Sequence, residues 1–252
     1  MADPPVLATE ELTVSFDGFK ALNGLNFRMA EGELRVAIGP NGAGKSTFLD
    51  AITGQVQPTQ GRVLFRGQSL AGRSEPDIAR LGIGRKFQTP RVHLNLSVGD
   101  NLDVAINRRK SALGTLLGRP SRADRRHAAR VLEMVGLGSK APLPARLLSH
   151  GEKQRLEIGM LVAQSPQLLL VDEPVAGLSA EETANVGELL LTLAESHSIL
   201  VIEHDMEFVR QIARTVSVLH QGSLLCEGPL EAVQNDPRVI EVYLGEPVPE
   251  EV

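Results

Sequence analysis

The chain opens with strand-like patterning. From Leu7 to Phe16 apolar and polar positions alternate loosely, and Phe27–Ala30 leads to the turn residues Glu31 and Gly32. Leu34–Ile38 is a short, mostly apolar run of the kind buried on both faces of a parallel sheet. A Gly-rich stretch, Gly39–Gly44, closes it. Beyond that, Phe48, Leu49 and Ile52 share one face of a helix predicted from Lys45, with Gly54 as its stop. Gly61–Phe65 is a further strand. Between about Thr89 and Ser165 strand-like runs vanish. Arg clusters, at Arg108–Arg109 and Arg122–Arg126, lie there among helical patterns, and Arg125–Val135 predicts an amphipathic helix ended by Gly136. After Pro166 the alternation returns: strand Leu168–Val171, helix about Ala180–Ser196, strand Ile199–Ile202, helix about Met206–Ala213. Thr215–His220 and Ser223–Cys226 predict a hairpin turning at Gln221–Gly222. Strands that alternate with helices imply an α/β fold around a parallel sheet, and the helical middle is then an insertion between two of its strands.

Composition narrows the class. At 252 residues and 42% hydrophobic content the chain can bury a full core, as one large domain or two small ones. A formal net charge of -5 offers no basic excess to neutralise phosphates, which argues against a nucleic-acid partner. The single Cys226 excludes an internal disulfide framework and suits a reducing cytosol. No apolar run approaches the ~20 residues a membrane helix needs. The N-terminus lacks the basic start and apolar stretch of a secretory signal, so a soluble chain is expected.

The chemistry begins at Gly39. Gly39-Pro40-Asn41-Gly42-Ala43-Gly44-Lys45-Ser46 fits G-x-x-x-x-G-K-[ST], with an apolar strand before it and a predicted helix after it. Glycines let successive backbone N–H groups turn inward as an anion nest at a positive helix end. Lys45 suits β- and γ-phosphate oxygens, and the Ser46 hydroxyl suits Mg²⁺. A second element, Leu168–Val171 followed by Asp172 and Glu173, is an apolar strand ending in two carboxylates. Ligands of open α/β sheets lie beyond the carboxyl ends of strands, where this pair emerges. Asp172 is placed for the Mg²⁺ shell, through water. Glu173 is then available to orient and deprotonate an attacking water. Each element has a plainer reading, a Gly-rich turn or a strand that ends in surface acids; their co-occurrence favours a P-loop NTPase.

The class comes from Leu148-Ser149-His150-Gly151-Glu152, followed by Lys153-Gln154-Arg155. Here the chain resembles the ABC ATPases, whose signature is L-S-G-G-Q. Ser149 and Gly151 match, while His150 and Glu152 depart; read alone, the segment is an N-cap at Ser149 that opens an amphipathic helix bearing Leu156, Gly159, Met160 and Ala163. The resemblance implies that Ser149 and Gly151 face the γ-phosphate of ATP bound by a second ATP-binding subunit. It also implies that Gln88 contacts metal and attacking water, that His204 is the switch histidine, and that the ATP-binding loop extends over Gly39–Thr47. Phe16 matches the aromatic that stacks on adenine, with Phe19 and a core role as competing readings. Gly177-Leu178-Ser179 occupies the D-loop without its usual final Asp.

The resemblance spans about Leu7 to Gly245, leaving residues 246–252 as a tail. It implies a P-loop core of ABC ATPase type with an antiparallel β subdomain and a helical subdomain inserted at about residues 89–165. Pro174–Leu178 and Pro237–Gly245 look like the branched-chain amino-acid and urea importer branch. Arg85–Pro90 and Leu148–Gln154 look most like the urea-transport ATP-binding subunit. The implied protein hydrolyses ATP with Mg²⁺ and energises transmembrane permease subunits from the cytoplasmic face of the membrane. A periplasmic or extracellular binding protein is an indirect partner, and the permease would dock near Thr89–Val98. Branched-chain amino-acid import is the alternative to urea, and a soluble ABC ATPase of iron-sulfur assembly is a further one.

Overall fold

A computed structural model describes residues 4–86, 92–107 and 121–244. Two sheets organise them. Strands β1 (Leu7–Phe16), β2 (Phe19–Met29), β4 (Gln60–Phe65) and β5 (Gln68–Ser69) form an antiparallel sheet in the order β2-β1-β4-β5. The loose alternation of the first segment has a local cause: the β1–β2 register shifts between Thr9 and Leu12 and again on either side of Val14.

The second sheet runs β10-β9-β3-β8-β7-β6, built from β3 (Leu34–Ile38), β6 (Ile83–Lys86), β7 (Leu168–Asp172), β8 (Ser198–Ile202), β9 (Thr215–His220) and β10 (Ser223–Gly228). All neighbours are parallel except the β9–β10 hairpin. The apolar runs of β7 and β8 are continuous because both faces are covered. Leu169 and Val171, with Ile199 and Val201, enter a core shared with the inserted helices. Leu168 and Leu170, with Leu200 and Ile202, enter the other core, between the sheet and the antiparallel layer. Side chains alternate across a strand, so one apolar run feeds two cores.

Helix α1 (Lys45–Thr53) lies in that second core and ends at Gly54, whose left-handed φ of 78° forms the cap. Phe48, Leu49 and Ile52 are fully buried, each contributing about 1.5–3 kcal/mol of burial free energy. Helix α2 (Glu75–Leu81) and edge strand β6 follow. The sequence pattern did not reveal β6, because Ile83-Gly84-Arg85-Lys86 is short and half charged; its pairing with β7 makes it a strand.

Between β6 and β7 come α3 (Val98–Asn107), α4 (Arg122–Met134) and α5 (His150–Val162). Helix α4 starts earlier than its apolar spacing suggests, because Ser121 and Asp124 form a capping box. Helix α5 corrects the expected amphipathic pattern. It packs against α3, α4, β6 and α6 (Ala180–Leu193), so most of its circumference is covered, Gln154 and Glu157 included. Helices α7 (Met206–Ile212), α8 (Leu230–Gln234) and α9 (Pro237–Leu244) complete the described chain. Helix α6 stops at Leu193, short of the expected Ser196, in a turn leading to β8. No helix among the described residues is long and apolar enough to cross a membrane.

Candidate nucleotide site

The loop between β3 and α1 wraps one wall of a cleft of about 260 Å³, lined by Asn41 to Thr47 together with Phe19, Ala21, Glu173 and Ile202. The start of α1 differs from that of its neighbours. Helices α4, α5 and α6 each carry a Ser capping box. Helix α1 begins at Gly44 with no side-chain cap. The first-turn N–H groups of a helix need an acceptor, and here no side chain of the cap supplies one, which leaves the helix end open to an anion. Gly44 is required twice over: its φ is 98°, and a Cβ there would lie 2.5 Å from the Ala21 carbonyl oxygen. The Lys45 ammonium folds over its own loop and donates to the Gly39 and Pro40 carbonyls at 2.6 and 3.0 Å. Partial burial lowers its pKa, and the nearby carboxylates of Glu173 and Asp172 oppose that shift.

Opposite the loop, β7 delivers its two acids to different places. Asp172 is buried beneath the cleft, its Oδ2 3.2 Å from Arg85 on β6; the same guanidinium meets Asp50 of α1 at 2.5 Å. Burial pushes the Asp172 carboxyl up, partly offset by Arg85. Glu173 reaches the cleft wall from a backbone with φ 42°, a conformation non-glycine residues rarely adopt and one that recurs at active sites. Its N–H donates to Ile202 O at 3.0 Å, extending the β7–β8 pairing. His204, just past β8 and exposed, places Nδ1 3.6 Å from Glu173 Oε1. Ser46 offers a hydroxyl and Asp172 a carboxylate, both hard oxygen donors of the type Mg²⁺ takes.

Glu203 was not singled out from the sequence, yet it organises this corner. It is buried, and it accepts N–H bonds from His204 at 2.8 Å, Asp205 at 3.2 Å and Val175 at 3.3 Å. One carboxylate thus ties the His204 turn to the segment that follows Glu173. Burial raises its pKa, and the three N–H donors oppose that. The available signal was an acidic residue ending an apolar strand, the same pattern that drew attention to Asp172 and Glu173.

Ser149 and Gly151 lie at the start of α5 and are not among the walls of this cleft. Ser149 caps the helix as expected, through a capping box with Glu152. His150 Nε2 lies 3.4 Å from Ala176 O, so the unusual signature residue leans on the segment that precedes α6. Phe16 is 48% exposed, which removes the core reading, but it does not line the cleft. Phe19, its partner across the β1–β2 turn, does. Gln88, like Thr89 and Pro90 of the expected docking stretch, lies outside the described residues.

Comparisons with known proteins bear on the fold and the family. The ABC transporter family model matches residues 22–176. A model described as branched-chain amino acid ATP-binding cassette transporter matches residues 223–249. The chain is similar to the high-affinity branched-chain amino acid transport ATP-binding protein LivG of Escherichia coli K12, 40% identical over 96% of this chain and 98% of that one. It is also similar to BraF of Pseudomonas aeruginosa, 38% identical with the same coverage. Among solved structures, a nucleotide-free ATP-binding cassette from an ABC transporter aligns with a TM-score of 0.84, 30% identity, and 96% and 100% of the two chains. The ADP conformation of the cassette MJ1267 aligns with the same TM-score and identity, covering 96% and 99%. The chain therefore belongs to the ABC transporter family of ATP-binding, ATP-hydrolysing cassettes.

Proposed function

We propose that this cassette energises import of branched-chain amino acids. The observation that carries the reading is the match of its C-terminal segment, residues 223–249, to the branched-chain amino acid cassette model. Similarity to LivG and BraF along nearly the whole chain supports it. These comparisons favour the branched-chain alternative over the urea reading, which rested on a few residues around Arg85 and Ser149.

In this reading ATP lies along Gly39–Thr47 with its phosphates toward the uncapped end of α1, and Lys45 turns from its own carbonyls to the phosphate oxygens. Phe19 is better placed than Phe16 to meet the base. Ser46 and Asp172, with Gln88, would hold Mg²⁺, which screens phosphate charge. Glu173 takes a proton from the attacking water, and His204 steadies the reacting end of the nucleotide. Ser149 and Gly151 do not line their own subunit's cleft, and in this reading they complete the site of a second ATP-binding subunit, identical or related. Permease subunits dock on the helical side. Leu94, Leu96, Leu143 and Leu147 are exposed there, on two segments joined by the bonds Ala145 N–Leu96 O and Arg146 N–Leu94 O. The cassette then works at the cytoplasmic face of the membrane, and a solute-binding protein acts through the permease from the other side.

The test is the ATPase rate of the complex recovered from native membranes, with its binding protein and either leucine or urea. Stimulation by leucine supports the proposal. Stimulation by urea alone returns the urea assignment, and recovery only with soluble scaffold proteins removes the transporter role.

A further inference from the structure

The donors of the signature segment are already engaged. Glu182, on α6, points one carboxylate oxygen between them: Ser149 Oγ donates to Glu182 Oε1 at 2.9 Å, and the Gly151 N–H donates to the same atom at 3.0 Å. The other oxygen accepts from the backbone N–H of Ser179 at 3.2 Å, as part of the α6 capping box. The fit at Gly151 is close, since a Cβ there would fall 2.7 Å from the Glu182 carboxyl carbon. These hydrogen bonds hold the Glu182 carboxyl below its ordinary value, so it is an anion at neutral pH. A carboxylate oxygen thus sits at the positive end of α5, bound by a hydroxyl and a backbone N–H.

We propose that Glu182 is a positioning residue that stands in for the terminal phosphate of the partner's ATP and must be displaced before the two-subunit site closes. The inference rests on the reading that Ser149 and Gly151 serve a second subunit. Its basis is stoichiometric. A serine hydroxyl has one proton to donate, and a backbone N–H has one. The lone pairs of Ser149 already accept from the Glu152 N–H at 3.2 Å, which fixes the hydroxyl within the α5 cap. The same two protons cannot serve Glu182 and a phosphate at full strength together. While ATP is absent, Glu182 satisfies both donors and holds them oriented. When ATP arrives, its more highly charged phosphate competes for them, and Glu182 falls back on Ser179. Glu182 sits in the first turn of α6, directly after the Gly177–Ser179 loop that follows Glu173. Its release therefore loosens the tie between the start of α5 and the start of α6.

The experiment compares Glu182→Gln with the unaltered chain in the assembled transporter, reading KM and kcat for ATP. Nucleotide binding to the isolated subunit is measured in parallel. Glutamine keeps the size of the side chain but has a single acceptor oxygen: held on the Ser179 N–H, it turns an NH2 donor toward Ser149 and Gly151, so the charge-assisted bonds to the signature donors are lost. The expected result is a KM lowered about three- to tenfold, with the effect on KM exceeding that on kcat and with unchanged nucleotide affinity of the isolated subunit. Glu182→Ala should move KM the same way while lowering the melting temperature through loss of the cap acceptor. An unchanged or raised KM in folded Glu182→Gln protein overturns the proposal. Ser149→Ala separates it from the reading beneath. If Ser149→Ala raises KM and Glu182→Gln leaves it unchanged, the proposal fails alone. If Ser149→Ala has no effect, both fail.

Discussion

Lys86 and Glu157 form an ion pair at the root of the helical insertion, and its removal has a calculable consequence. Lys86 closes β6, its side chain is 0% exposed, and Nζ lies 3.6 Å from Oε2 of Glu157 on α5, itself 8% exposed. Burial lowers the Lys86 pKa, and Glu157 is the first partner that opposes the shift. At 3.6 Å and an effective dielectric near 20, the attraction is about 5 kcal/mol. Removing one member of a buried pair costs roughly 3–5 kcal/mol, because the remaining charge keeps its desolvation penalty. Glu157→Leu should therefore destabilise the chain by about that amount, which lowers the melting temperature by roughly 6–20 °C for a protein of this size. The double variant Lys86→Met/Glu157→Leu removes both charges and should recover most of the loss. Urea unfolding at pH 7 of the two variants and the parent chain reads both effects. A loss below about 1 kcal/mol in Glu157→Leu, or no recovery in the double variant, refutes the reasoning: the pair would then be reached by water and not carry the junction of β6 and α5.

Three further outcomes are expected. Glu173→Gln should retain ATP and accumulate closed dimers while turnover falls by about 10²–10⁴-fold, the usual worth of a general base; steady-state hydrolysis at the parent rate in contaminant-free protein would remove Glu173 from that role. Gly44→Ala places a Cβ 2.5 Å from the Ala21 carbonyl at a φ of 98°, so the loop must distort; nucleotide binding by fluorescence titration should be lost, and tight binding would show that the loop yields without cost. The Arg238 guanidinium and backbone N–H hold the Asp236 carboxyl at about 2, below its ordinary 3.8. A depressed acid adds stability above its unfolded pKa, so this contribution should fade as pH drops from 3.8 toward 2. Carboxyl NMR titration should show that low midpoint, and Arg238→Ala should return it toward 3.8; an unmoved midpoint would contradict the assignment to Arg238.

Much of this protein was legible locally. The phosphate loop announces itself because its chemistry is made by consecutive backbone N–H groups, which require glycines at set positions in Gly39–Gly44 and a lysine directly after them. The buried strands β3, β7 and β8 show as apolar runs because both their faces are covered, and Ser149 reads as a helix cap because capping is a contact over three residues. Tertiary structure decided what depends on long-range neighbours. β6 is a strand only through its pairing with β7, and α5 loses its expected polar face because four elements surround it. The burial that ties Glu203 to Val175, the capture of Ser149 by Glu182, and the choice of Phe19 over Phe16 at the cleft all join residues from separate elements. A carboxylate looks the same in sequence whether it faces water or a helix end; what it binds depends on which backbone N–H groups the packed sheet and helices bring to it.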